Sequence, residues 1–375
     1  MFSRVTALAV SLTLVAACGG VERTDSAARS GVLSGVCPAT VAIQTDWEPE
    51  AEHGGLYRLL GADYTADVAA KSVKGPLLAS GTDTGVDVEI RIGGASVGYQ
   101  TAPPLLYQDK SLLLGYGRVS EHLVTQKATP VVSVFAQLEK SPYAVYWDPA
   151  TYPAARTIAD LKKDKVKILF GAEATVWQEY LVGAGLVDKS QVDQSDSPKP
   201  ATFVAEGGKV AETGFITAEP YMYEVETEAW GKPVVGQLIH DTGFPEYFQS
   251  VVVREEDVTK EKDCLAKLVP ILQRAQVDYV TDPAATDKLI IDLVDRYRTS
   301  WTYTPGQAEA AVKAQVELGL VGNGDDATLG NYDLKRVQTL IDLIGKYAPD
   351  ADIAGITPGD LVTNDFIDPS IGLER

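Results

Sequence analysis

The residue types that carry much of metal, redox and proton-transfer chemistry are scarce here: 375 residues include three cysteines, three histidines and two methionines. His53, His122 and His240 do not show the spacing of a metal site. No His-Glu-x-x-His run and no Gly-rich phosphate loop is present, which removes common signatures of metalloproteases and P-loop enzymes. Positive charge is also short, with 33 Lys and Arg against 52 Asp and Glu, a net charge of -19. Such a chain repels nucleic-acid phosphates and anionic lipid headgroups. What is present is ordinary globular material, 45% hydrophobic and long enough for two domains.

The longest N-terminal apolar run, Val5 to Ala17 after Arg4, is too short to span a bilayer and fits the core of a signal peptide, residues 1–17. It ends in Leu14-Val15-Ala16-Ala17-Cys18-Gly19, which resembles the lipobox of bacterial lipoproteins, and the resemblance implies acylation of Cys18. The alternative is a plain secretory signal. Residues 18–36, rich in Gly, Ser, Ala and Thr, read as a flexible tether. Export leaves Cys37 and Cys264 in a compartment that permits disulfides, and we expect them to pair; two separately buried thiols are the alternative.

Strand and helix signals alternate through the middle of the chain. Thr40–Ile43, Val86–Ile92, Ser111–Gly117, Pro130–Ala136, Tyr143–Trp147, Val166–Gly171 and Gln249–Arg254 read as strands, Gly214–Tyr221 as a strand with a loop at its end, and the last hundred residues as chiefly helical. The predicted class is α/β with mainly parallel strands. In such sheets ligands bind outside the strands' carboxyl ends. The loop after the first strand, Asp46-Trp47-Glu48-Pro49-Glu50-Ala51-Glu52-His53-Gly54-Gly55-Leu56-Tyr57, is therefore the first candidate site. Glu255-Glu256-Asp257 reads as a solvated helix start.

The order of Asp46-Trp47-Glu48-Pro49, His53 to Tyr57, Ser120-Glu121, Pro130 to Val134, Ser141-Pro142-Tyr143, Asn331-Tyr332-Asp333 and Asp360 to Phe366 resembles the solute-binding proteins related to fungal thiamine-pyrimidine synthase. The resemblance covers roughly residues 39 to 370 and implies a type II periplasmic-binding-protein fold, two α/β lobes with a ligand between them. It places crossovers near 135–137 and 247–249, lobe one at 37–136 with 249–375, and lobe two at 137–248. It also implies an ABC permease and ATPase as partners, a monomer, and no resident cofactor or metal. The family's enzymes use a cysteine cluster that this chain lacks, so no catalytic residues are assigned.

The strand-end positions collect carboxylates and aromatics: Asp46, Trp47, His53, Tyr57, Ser120, Glu121, Ser141, Tyr143, Glu173, Trp177, Glu219 and Tyr221, with Tyr223 nearby and Arg118 as the fixed cation. Carboxylates oppose an anion, although helix N-terminal amides could still hold one. They suit a flat heterocycle bearing amino groups, each stacked ring contributing about 1–3 kcal/mol. A thiamine-precursor aminopyrimidine is the expected ligand; riboflavin, or a sulfonate or nitrate, is the alternative. His53 reads more readily as a residue fixing its loop than as a ligand contact. A ligand-free scaffold would carry a plugged cleft, and the small residues Gly93-Gly94-Ala95 and Gly115-Tyr116-Gly117 speak against one.

Overall fold

The computed structural model describes residues 29–171, 175–194 and 199–374. The signal segment, Cys18 and Glu173 lie outside the described residues. Two sheets organise the rest. The first contains β1 (Thr40–Gln44), β2 (Thr65–Asp67), β3 (Ser72–Ala79), β4 (Thr82–Arg91), β5 (Leu112–Gly117), β6 (Val131–Leu138) and, much later, β12 (Phe248–Arg254), in the order β2-β3-β4-β1-β5-β12-β6. The second contains β7 (Tyr143–Trp147), β8 (Ile168–Leu169), β9 (Val192–Asp193), β10 (Ala211–Phe215) and β11 (Val235–Leu238), in the order β11-β7-β10-β8-β9.

Sequence and position agree closely. β5 and β12 are buried at every residue, as central strands covered on both faces must be. In β4, Thr84, Val86, Val88 and Ile90 are buried while their neighbours are not, so one face stays wet. The expectation of mainly parallel strands is corrected. β1 runs parallel to β4 and β5, and β8 to β10 and β9, but β12 is antiparallel to both its neighbours, as are β7 to β10 and β11, and β3 to β2 and β4. For β3 and β4 the reason is connection length. Only two residues, Ser80 and Gly81, join β3 to β4, both at positive φ (44° and 84°), and so short a link permits only an antiparallel pair.

The chain leaves the first sheet after β6, through 139–142, and returns through 239–247. The helix Lys262–Thr281 covers the first sheet with Leu265, Leu268, Val269, Leu272 and Tyr279, spaced by three and four residues. Each such side chain contributes about 1.5–3 kcal/mol on burial. Cys264 in its first turn is bonded to Cys37, the Cα atoms 4.7 Å apart. Residues 29–36 are not a free tether: Leu33 is fully buried, its N–H donates to Thr84 O at 3.0 Å, and Arg29 pairs with Asp83. The apolar side chain of Leu33 outweighs the small polar residues around it.

The helix Leu334–Tyr347 departs from the predicted lobe division. Its apolar stripe, Val337, Leu340, Ile341 and Ile344, is buried in one cluster with Trp147, Ile158 and Trp177, beside the helix Thr175–Gly183 that follows β8, although it comes after β12. Glu255 and Glu256 are exposed as expected, but Asp257 is buried, 2.6 Å from Arg254 Nε.

Candidate functional site

β1 ends at Gln44, and the backbone of Thr45–Trp47 is strapped to the end of β4: Gly93 N–H donates to Trp47 O at 3.0 Å, and Gly94 N–H to Asp46 O at 3.1 Å. A Cβ on Gly93 would lie 2.4 Å from Thr45 O, and Gly94, at φ 59°, lies under the Trp47 ring. Gly115 and Gly117 are likewise filled by Ala102 and His122. These glycines make room for protein, not for ligand, which corrects the reading of them as an open strand end.

From there the chain descends through buried acids. Glu48 and Glu50 are each 4% exposed and Glu52 2%, and Glu48 Oε2 and Glu50 Oε1 have no hydrogen-bond partner. Burial raises the Glu50 carboxyl well above its ordinary range, helped by Glu52, Asp46, Glu219 and Glu48. Asp46 Oδ1 lies 2.7 Å from His53 Nε2, and His53 is fully buried. His53 thus fixes the loop, through Asp46.

The second sheet meets this loop directly. Thr217, just beyond β10, donates its hydroxyl to Glu52 Oε1, while Gln137 of β6 donates to Glu52 O and accepts from Tyr116 OH. Two residues on from Thr217, Glu219 accepts from Phe215 N–H at 2.6 Å, and burial, with Glu212 next, raises its carboxyl to about 8. A second bridge joins Thr304 Oγ1 to Glu226 Oε1 at 2.5 Å. Tyr221 supplies a third: its hydroxyl oxygen packs on Gly306, where a Cβ would come within 1.9 Å. The strand-end loops of the two sheets therefore face each other through a carboxylate-rich boundary.

The other expected residues separate into groups. Ser120 donates both N–H and Oγ–H to the buried Glu246 Oε1, and Ser141 N–H donates to Glu246 O at 3.2 Å, so both serines secure the returning segment. Glu121 Oε1 is 3.5 Å from Arg118 Nη2, and the Arg118 guanidinium lies 5.6 Å from the Tyr143 ring centre. Tyr143 is half-buried and packs on Trp177, Phe215 and Phe248. Three of the expected residues are engaged with the protein itself. Trp177 is 1% exposed and supports Tyr143 from behind; Tyr57 is fully buried in the first core; and Tyr221 serves the bridge. Tyr223 is also core, donating to Glu212 Oε1.

Sequence reasoning missed Trp301, Tyr303 and Tyr99. Trp301 Nε1–H donates to Pro49 O at 3.2 Å and Ala51 N–H donates to Tyr303 OH at 3.0 Å, so the two rings grip Glu50 from both sides along the chain. No local signal marks them, since the contact spans 252 residues. The letters of Gly94-Ala95-Ser96-Val97-Gly98 spell Gly-x-Ser-x-Gly. They do not make a hydrolase elbow here: Ser96 is exposed in a 3-10 turn, while His53 and His122 are fully buried and engaged with Asp46 and Ser133.

Among the described residues no group of three His, Cys, Asp or Glu is placed to hold a metal ion. A groove of about 860 Å³ lies elsewhere, between the helices Lys262–Thr281, Ala284–Tyr297 and Pro305–Glu317, floored by Val280, Ile291, Val312 and Val316. It contains none of the strand-end groups.

No protein-family model matches this chain, and no curated protein matches it in sequence. Solved structures do. The periplasmic aliphatic sulphonate binding protein SsuA of Escherichia coli is similar over 90% of this chain and 95% of its own, at a TM-score of 0.54 and 12% identity. The periplasmic nitrate-binding protein NrtA of Synechocystis PCC 6803 is similar over 88% and 87%, at 0.52 and 12%. A zinc-bound ligand-binding component of an ABC-type import system of Staphylococcus aureus is similar over 89% and 99%, at 0.53 and 11%. These likenesses show the fold, that of the periplasmic binding proteins.

Proposed function

We propose that this chain is the extracytoplasmic solute-binding component of an ABC importer, holding a small planar heterocycle with amino groups between its lobes. The observation that carries the reading is the meeting of Asp46, Glu50 and Glu52 from one lobe with Glu219 from the other, a boundary of carboxyl groups whose oxygens can accept hydrogen bonds, with aromatic rings beside it. Amino groups and ring N–H donors complement acceptors, and rings stack on Trp47 or Tyr143. A thiamine-precursor aminopyrimidine fits this chemistry, in line with the motif resemblance to thiamine-pyrimidine relatives; riboflavin shares the stacking but needs a longer cleft. The neighbours named for sulphonate and nitrate point to an anion instead. The local charge opposes that, because Arg118 is already beside Glu121.

The lobes are 37–136 with most of 249–375, and 137–248 joined by the helix Leu334–Tyr347. Closure of one on the other would report occupancy to a permease. Cys18 would anchor the exported chain at the membrane, as a monomer that binds and does not transform its solute. The test is a thermal-shift panel of aminopyrimidines, thiamine, riboflavin, taurine and nitrate. A ligand at a hundred times its Kd adds about 2.7 kcal/mol of stability. A rise with an aminopyrimidine that Glu219→Gln reduces supports the reading; a rise with taurine or nitrate alone sinks the ligand class.

A further inference from the structure

Three aromatic rings stand together at the mouth of the acidic loop. Trp47 lies 6.1 Å from Trp301, edge to face, and 6.0 Å from Tyr99, tilted. None is buried: both tryptophans are partly exposed and Tyr99 is 69% exposed. Tyr99 also holds a left-handed backbone, φ 60°, which a bulky side chain adopts only at a cost of about 1–3 kcal/mol. Nothing in the core requires so exposed a ring at so strained a position. Three residues along from Trp47, Glu50 is 4% exposed with its Oε1 unpartnered, and its chain neighbours Pro49 and Ala51 are bound to Trp301 and Tyr303.

Resting on the solute-binding reading above, we propose that Trp47, Tyr99 and Trp301 form an aromatic cage for a positively charged nitrogen, with Glu50, which gives up its proton as the cation enters, as its counter-charge. The ligand class is then a cationic amine, an amidinium such as a ring-protonated aminopyrimidine, or a quaternary ammonium. Each aromatic face presents negative charge from its quadrupole, and several faces around one cation are worth more than one. A buried carboxylate without a partner is costly, and a bound cation removes that cost. The cage accounts in one step for the exposed rings, the strained Tyr99 and the orphaned oxygen.

The test uses pairs of probes alike in shape and different in charge, titrated calorimetrically into the intact chain near neutral pH: 4-aminopyridine, which is protonated there, against aniline, and choline against 3,3-dimethyl-1-butanol. In at least one pair the cation binds about tenfold or more tightly than its neutral mate. Glu50→Gln and Trp301→Ala each weaken that cation about tenfold, Trp47→Phe keeps most of the affinity, and Tyr99→Ala, at an exposed site that leaves the fold intact, weakens it severalfold. Equal binding within both pairs overturns the proposal. Binding of taurine, nitrate or a neutral solute without either cation overturns the cage and leaves solute binding standing. Binding of none of these solutes, nor of any in the panel above, overturns both.

Discussion

At the residue scale the site is built by contacts that look like flaws in isolation. Gly93 is needed because the Thr45–Trp47 backbone passes against it, leaving no room for a methyl group. Gly93→Ala must push that loop aside, and overpacking of this kind costs about 1–3 kcal/mol. The expected result is a melting temperature lower by several degrees together with weaker ligand binding, because the displaced loop carries Asp46 and Trp47; unchanged affinity in a destabilised protein would separate the loop from the site. Gln249 shows the same economy at the lobe junction. It is fully buried at φ 45° with both amide atoms unpartnered, and it falls between the Phe248–Leu138 and Ser250–Ala136 pairs, opposite Gln137. The local signals placed Asp46 and Trp47 on a loop at a strand end, since a polar aromatic loop follows an apolar strand. They were not readable for Tyr57 and Trp177, because the same residue types serve equally as core, and only packing separates the two uses.

At the element scale the telling piece is the helix Leu334–Tyr347. Its Arg336 reaches both chain segments that pass between the sheets: it pairs with Glu139 on the outgoing one, and on the returning one its Nε–H donates to Pro245 O at 2.9 Å and Nη2–H to Glu246 O at 3.2 Å. The guanidinium also lies 3.7 Å over the Tyr247 ring. One side chain thus clamps the two strands about which the lobes would turn. Arg336→Ala leaves Glu139 half-enclosed without its cation, and we expect a loss of about 3 kcal/mol in urea unfolding. Faster amide exchange confined to 139–142 and 239–247 would mark a hinge effect, whereas uniform exchange would make Arg336 an ordinary stabiliser. Arg336→Lys should recover only part, since an ammonium cannot fork between the four acceptors, Glu139 Oε1 and the carbonyls of Glu139, Pro245 and Glu246. The apolar stripe of this helix was legible in its spacing, yet its place against the second sheet was not, because a stripe states that a face is covered and not by what. The first strand of the β3–β4 hairpin went unread for a plainer reason: Ser80-Gly81 is a two-residue turn signal, but β3 before it carries Lys74, Gly75 and Pro76, which weaken the strand pattern.

At the scale of the whole molecule the buried acids set the response to pH. Burial raises Glu212 to about 7 and Glu219 to about 8 from an ordinary 4.5, and pushes Glu50 and Glu52 the same way. A carboxyl that holds its proton more tightly folded than unfolded favours the fold while protonated. That contribution is complete below about pH 4.5 and is lost as pH rises through about 7 to 8. The protein without ligand should therefore have a higher urea midpoint at pH 5 than at pH 8.5, with Glu219→Gln flattening the difference; a midpoint that climbs with pH over this range would contradict the burial of these acids. A chain of net charge -19 adds repulsion in the same direction. By itself the sequence determined most of the longer strands, the α/β class, the two-lobed fold and the acidic, aromatic character of the strand ends, because periodicity, composition and motif order are properties of short segments read in series. Only the tertiary structure decided which aromatics face outward, that Trp301 and Tyr303 grip Glu50, that Glu52 meets Thr217 across the lobes, and that one late helix crosses to the second sheet. Those choices depend on closure of chain segments hundreds of residues apart, and no local preference of the backbone encodes where such ends will meet.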